Sequence, residues 1–264
     1  MNFDFENYWR HQLSCVLLNG FEVNPRGKRT RELLHQTLAV DMRRPVLRHP
    51  LRKLDYRFMA AEAFWILSGD DRVAGIAPFN QRIAEFSDDG KTFFGAYGPK
   101  IMTQLDYVLT KLTEDSFSRQ AVLTIWREQP PPTKDVPCTV AISFTLRGGE
   151  LNCHVFMRSS DLWLGLPYDV FNFSMLGHLV CARLNSQTSD YGVVPGQLYL
   201  TAVSSHLYQH NWEAAAMCIS SISYLPQAET PEFTYKDPAH LMGLLSELRH
   251  TKPGDKRRWW EVAS

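Results

Sequence analysis

The sequence carries no excess of charge: 28 lysines and arginines face 28 aspartates and glutamates over 264 residues. No global field therefore draws it to nucleic acid or to an anionic membrane, and an anionic ligand has to be met by a local cluster. Cysteine is sparse. Cys15, Cys138, Cys153, Cys181 and Cys218 are odd in number, widely spaced and free of any CxxC pair, which argues against a disulfide framework and a structural zinc site. No uncharged run reaches the roughly 18 residues of a membrane span. The N-terminal MNFDFENYWRHQL is acidic and aromatic, unlike the basic-then-apolar start of a signal peptide. The expectation is a soluble cytoplasmic protein with no metal, no membrane and no direct nucleic-acid partner.

What is present is enough for a full core, 44% hydrophobic and 12% aromatic residues, and the length suits one domain over residues 1–264. Trp9, Leu13, Val16 and Leu17 space a helix over residues 5–18. The basic stretch that follows, broken by Pro25, Gly27, Pro45 and Pro50, reads as surface loops and short strands. Leu54, Phe58, Trp65 and Ile66 form the apolar stripe of a helix that stops at Gly69. Glu62 falls inside that stripe, either snorkelling at its edge or held in a desolvated cleft where its pKa would rise, as a general acid or base requires.

Residues 101–112 read as a further helix and residues 121–126 as a strand. Cys138, Val140, Ile142, Phe144 and Leu146 alternate up to Gly148-Gly149, and Leu151, Cys153, Val155 and Met157 alternate after it. This is the pattern of a hairpin buried on one face, with Cys138 at its mouth on the apolar side. Residues 168–184 are apolar nearly all round and form a central helix, residues 197–203 a strand, and Asp237-Pro238 starts a capped helix striped with leucine. The tail from Lys252 onward looks loose. Strands and helices intermingle without regular βαβ alternation, so the fold class is α+β, built on a mixed β-sheet with helices on one face.

Residue by residue the chemistry stays open. Cys138 is a candidate nucleophile and equally a small buried apolar residue. Arg158-Ser159 can cradle a phosphate or be an ordinary surface pair. His206 and Tyr208, two apart on a strand, point to the same side.

Taken together, the segments resemble the thymidylate synthase superfamily. NPRG at Arg26, AEAFWILSGDD around Glu62, FGAYG at Tyr97, SRQAVLTIW at Arg119, VPC at Cys138, FMRSSDLWLGLPYD from Arg158 to Asp169 and SSHLYQH at residues 204–210 follow that family's blocks in order. The resemblance implies that the Cys138 thiolate adds to C6 of a pyrimidine nucleotide and so activates C5 toward 5,10-methylenetetrahydrofolate. Glu62 would then organise water and proton transfers. It assigns Arg26, Arg119, Arg158 and Ser159 to the nucleotide phosphate, with Arg119 crossing a homodimer interface formed by the sheet face. His206 and Tyr208 fall to the sugar hydroxyl, and Asp161, Gly165, Asp135 and Tyr97 to the folate side.

The departures carry information of their own. Asp169 stands where the family has Asn, and a carboxyl suits the N4 amino donor and N3 acceptor of cytosine. Thr139, Asp135 and Ser204 also depart from the family pattern and resemble the deoxycytidylate hydroxymethylases of T-even-like bacteriophages. The resemblance implies hydroxymethylation of dCMP, with water rather than hydride captured at the methylene and Asp135 placing that water. Gln120 replaces one of two family arginines, and Ile83 and Phe86 replace the aromatic pair that packs on folate in the family. The other readings are methylation of dCMP, hydroxymethylation of CMP in nucleoside antibiotic biosynthesis, a dUMP-specific enzyme, and a nucleotide- or folate-binding protein in which Cys138 is core.

Overall fold

A computed structural model describes residues 5–187, 192–221, 232–252, 255 and 259. Six strands, β1 (Phe21–Val23), β2 (Thr30–Asp41), β3 (Val122–Thr124), β4 (Thr139–Arg147), β5 (Glu150–Asp161) and β6 (Val194–Tyr208), form one mixed sheet in the order β1-β2-β6-β5-β4-β3. Every neighbouring pair is antiparallel except β5 and β6. A parallel pair needs a long crossover, and the helix α5 (Leu166–Gln187) supplies it. The other helices are α1 (Phe5–Asn19), α2 (Tyr56–Leu67), α3 (Val73–Ile76), α4 (Tyr97–Glu114), α6 (Trp212–Ser220) and α7 (Pro238–Arg249).

The α+β class and the single mixed sheet expected from the sequence are what the chain forms. α1, α4 and α5 pack on the sheet, and α2 lies behind, between α5 and α7. α5 is buried on nearly every side, as its all-round apolar sequence requires. The opposite sheet face, lined by Ala141, Ser143, His154, Phe156, Tyr199 and Thr201, is open to solvent. The hairpin turn at Gly148-Gly149 has φ of 58° and 81°, the paired left-handed conformation of a two-residue turn whose twist matches its strands. Asp55 and Asp237 cap α2 and α7 by accepting from the backbone N–H three residues on.

Three expectations need correction. The region after Val23 is not only loops and short strands: β2 is a twelve-residue strand that pairs with β6 along nearly its whole length. The prolines that suggested loops flank it, and Leu38 and Val40 alternate into the core. Cys138 is not on the apolar face of the hairpin. A β-bulge shifts the register between Thr139 and Ala141, so fully buried Thr139 opposes Met157 in the core row while Cys138 stays half-buried. The tail from Lys252 falls largely outside the described residues, yet Trp259 is fully buried against Tyr56, Phe171 and Phe233.

The same phase change crosses the neighbouring strands. Buried positions run Val155 and Met157 along β5 and Leu200 and Ala202 along β6, then shift to Ser160 and to Ser205 and Leu207. Level with this break, His35 of β2 has a left-handed φ of 53°. Ser159, Asp161, Ser204 and His206 thereby leave the core row at one end of the sheet, where Ser159 pairs with Ser204 and Asp161 with His206.

Candidate active site

Cys138 closes the Val136-Pro137 loop at the entrance to β4. Arg158 fixes that loop: its backbone N–H donates to the Cys138 carbonyl at 2.9 Å, Nε to the Pro137 carbonyl at 3.0 Å and Nη2 to the Val136 carbonyl at 2.9 Å. The Ser159 hydroxyl donates to Cys138 Sγ at 3.6 Å and accepts from Arg158 Nη1 at 3.4 Å. The thiol, the hydroxyl and the guanidinium thus form one contiguous group.

Behind the cysteine, Thr139 turns inward to Tyr97, the first residue of α4. The Tyr97 hydroxyl accepts from Thr139 N at 3.2 Å and from Thr139 Oγ1 at 3.0 Å, so its own proton remains free to donate. Burial, with the charges of Asp169 and Cys138 added to it, pushes the Tyr97 phenol far above its ordinary value and keeps that proton in place. Its ring stacks on Phe173 of α5 at 6.2 Å.

Two carboxyls face the site from the helices. Glu62 of α2 keeps some surface open to the cleft, but the packing around its carboxyl pushes its pKa up to about 7, against the opposing pull of a 2.8 Å hydrogen bond donated by Asn172 Nδ2. The apolar stripe around Glu62 is therefore the desolvated cleft of the second reading above. Asp169 of α5 is held well above the carboxylate range by burial, by Glu62 and by Asp161. Neighbouring carboxyls in one cleft cannot all ionise cheaply, which is part of what raises Asp169.

Gly165 lies directly under Asp169. A Cβ at this position would stand 3.3 Å from Asp169 Oδ2 and 3.5 Å from the Asp161 carbonyl, so a side chain there would push the carboxyl out of place. The Asp161 carboxylate is spent locally, accepting from Trp163 N at 2.8 Å and Leu164 N at 2.9 Å, which turns the chain into α5. Asp135 is also engaged: Oδ2 accepts from Gly95 N at 2.7 Å, and burial raises its pKa. This contact needs Gly95, because a Cβ there would fall 2.7 Å from the same oxygen.

At the sheet end, His206 and Tyr208 meet edge to face at 5.2 Å, and Lys28 lies 5.8 Å over the Tyr208 ring. Arg26, exposed at left-handed φ of 52° in the Pro25–Gly27 turn, lies four residues before Thr30, which pairs with Tyr208. Ser204 donates to Glu32 Oε2 across the strands.

Arg119 is not brought to the site. The segment just before it lies by Arg147, whose guanidinium donates to the carbonyls of Ser116 and Phe117. Arg147 ends β4, while Cys138 precedes its start, about 30 Å away at about 3.3 Å per strand residue. Arg119 is exposed, as a residue serving another copy of the chain would have to be.

One residue escaped the sequence reading. Asn172 is 5% exposed, one turn beyond Asp169 on α5, and it grips Glu62. A polar residue between Phe171 and Phe173 in an all-apolar helix was the available signal. Among the described residues, no group of three His, Cys, Asp or Glu could hold a metal ion, and no helix is long and apolar enough to cross a membrane.

The cysteine beside Ser and Arg, the two acids at raised pKa and the His–Tyr pair on β6 are the residue types that the resemblance to thymidylate synthases calls for. The sequence profile of the thymidylate synthase family matches residues 7–238, and the chain belongs to that family. Among curated proteins it is similar to the deoxyuridylate hydroxymethyltransferase of Bacillus phage SP01, with 30% identity over 225 residues covering 76% of this chain and 56% of that protein. The chain thus spans a little over half the length of the curated relative.

Proposed function

We propose that the chain is a folate-dependent one-carbon transferase that hydroxymethylates C5 of dCMP: dCMP, 5,10-methylenetetrahydrofolate and water give 5-hydroxymethyl-dCMP and tetrahydrofolate. Folate supplies the methylene unit. Cys138 Sγ bonds to C6, C5 takes up the methylene carbon, loss of the C5 proton breaks the remaining bond from that carbon to folate nitrogen and releases tetrahydrofolate, water adds to the exocyclic carbon, and the C6–S bond breaks to return the thiolate. Glu62, with a pKa near the working pH, is matched to moving these protons. The folate-side assignments fit with one change of role: Asp161 and Asp135 shape backbone turns there, while Gly165 leaves space and Tyr97 keeps a free donor.

The observation that carries the substrate reading is the carboxyl at Asp169, where the family's carboxamide pairs with uracil. An ionised carboxylate only accepts, which fits N4 and a protonated N3 of cytosine and leaves the O4 of uracil unpaired. The neutral carboxyl has one donor and one acceptor and can be turned to meet either base edge. That versatility, with the deoxyuridylate hydroxymethyltransferase activity named for the phage relative, favours dUMP as the second reading. The phosphate falls to Arg26, Arg158, Ser159 and, from a second copy of the chain, Arg119. The sugar falls to His206 and Tyr208.

The test is incubation of the purified protein with dCMP, CMP or dUMP and methylenetetrahydrofolate, with nucleotide and folate products read by mass spectrometry. Hydroxymethyl-dCMP with tetrahydrofolate is the expected pair. A methylated nucleotide with dihydrofolate would overturn water capture, and turnover confined to dUMP would overturn the role of Asp169.

A further inference from the structure

Asn172 has an unusual division of labour. Its Nδ2 donates to Glu62 Oε2 at 2.8 Å, while its Oδ1 is buried without a protein hydrogen-bond partner. A buried amide oxygen left unpaired is costly, and most such groups in folded proteins find a partner. Helices α2 and α5 pack together, so both residues are held by rigid elements, and the neighbouring Phe171 and Phe173 are themselves buried.

We propose that Asn172 is a positioning residue that holds Glu62 in both of its protonation states, by turning its side-chain amide over when Glu62 takes up a proton. An ionised Glu62 has only acceptors and takes the Nδ2 hydrogen bond seen here. A protonated Glu62 has an O–H to donate, and half a turn about the Asn172 Cβ–Cγ bond offers it Oδ1. The rotation breaks one hydrogen bond and forms one. Because Oδ1 has no partner to give up, nothing else is lost. A hydroxyl could also donate and accept but is shorter, whereas an amide carries both functions at its tip without a charge of its own.

The titratable groups that face Glu62 are Asp169 and Tyr168 of α5, with Asp161 and Tyr97 acting through Asp169. From α7, also packed on α2, Arg249 stacks on Phe64 at 3.8 Å. Arg249 can only donate, and Tyr168 already accepts from Asp55 N at 3.2 Å.

This inference rests on Glu62 as the acid–base group proposed above, but its test needs no turnover. The full-length protein, labelled with 13C at glutamate side chains and 15N at asparagine side chains, is titrated by NMR. Glu62 is assigned by its loss in Glu62→Gln and Asn172 by its loss in Asn172→Asp. The Glu62 carboxyl carbon and the Asn172 amide nitrogen should titrate together with one midpoint. In Asn172→Ala both forms of Glu62 lose a hydrogen bond, so the midpoint should rise by less than about one unit, a tenfold change in proton affinity, through the greater strength of the charge-assisted bond alone. An Asn172 amide that does not respond across the Glu62 titration, or a midpoint raised by more than about one unit in Asn172→Ala, as when only the ionised form is held, overturns the inference whatever the nucleotide assay gives. The wild-type titration alone decides the amide turn if the alanine variant fails to fold.

Discussion

Replacing Glu62 by Gln removes a buried acid and keeps its shape. The carboxyl's pKa rises from 4.5 to about 7 on folding, so the folded state binds its proton more tightly than the unfolded chain. An acid shifted upward costs no stability below its unfolded pKa. Above it, the unfolded chain releases the proton while the fold must retain it or bury a charge, and stability falls as pH rises toward the folded pKa. The full cost is about 3 kcal/mol, from 1.36 kcal/mol per unit over the shift. A Gln at this position can still accept from Asn172 Nδ2, so little is lost in exchange. Glu62→Gln should match the wild type in urea unfolding near pH 4.5, gain steadily above it, and be more stable by about 3 kcal/mol above pH 7, while turnover collapses. Equal stability at pH 8, or a difference independent of pH, would show that Glu62 is not desolvated and that its fitness for acid–base work is illusory.

Other outcomes follow from neighbouring contacts. Asp169→Asn should move preference from cytosine toward uracil nucleotides by about 10- to 100-fold in the ratio of kcat/KM values, the equivalent of mispairing one buried polar group at about 1–3 kcal/mol; an unchanged ratio in a competition assay would remove Asp169 from the base pocket. Asp135→Ala leaves Gly95 N–H without its acceptor and should cost about 1–3 kcal/mol of stability by chemical denaturation. If Asp135 also places water, methyl product should appear in that variant. Mixing Arg119→Ala with Cys138→Ala, each inactive alone, should restore activity by pairing one intact cysteine with an arginine from the other copy; no recovery after co-refolding would place Arg119 outside the site.

Much of this architecture was legible in the sequence where one local rule dominates. The Gly148-Gly149 turn, the Asp55 and Asp237 caps and the all-apolar α5 each follow from residue chemistry within a few positions. What failed depended on distant partners. β2 looks like loop because its prolines and charges lie around and along a strand whose order comes from β6, 156 or more residues on in the chain. The bulge at the start of β4 leaves no mark in the alternation, so the pattern puts Cys138 on the wrong face. Resemblance brought Cys138, Glu62, Asp169, Arg158 and Ser159 together in advance. It did not bring Asn172, whose meaning exists only once α2 lies against α5, nor did it reveal that Asp135 and Asp161 spend carboxylate oxygens on backbone N–H groups.

The central claim is that Cys138 attacks C6 of a cytosine nucleotide so that C5 can accept a carbon unit. A 5-fluoro nucleotide tests it, because fluorine at C5 cannot leave as the proton does and the bonded species accumulates. The protein would be incubated with 5-fluoro-dCMP or 5-fluoro-dUMP and methylenetetrahydrofolate, and digested for peptide mass spectrometry. A stable adduct from 5-fluoro-dCMP on the peptide bearing Cys138, absent in Cys138→Ala, is the predicted result. No adduct from either nucleotide, or one on a different cysteine, would contradict the account.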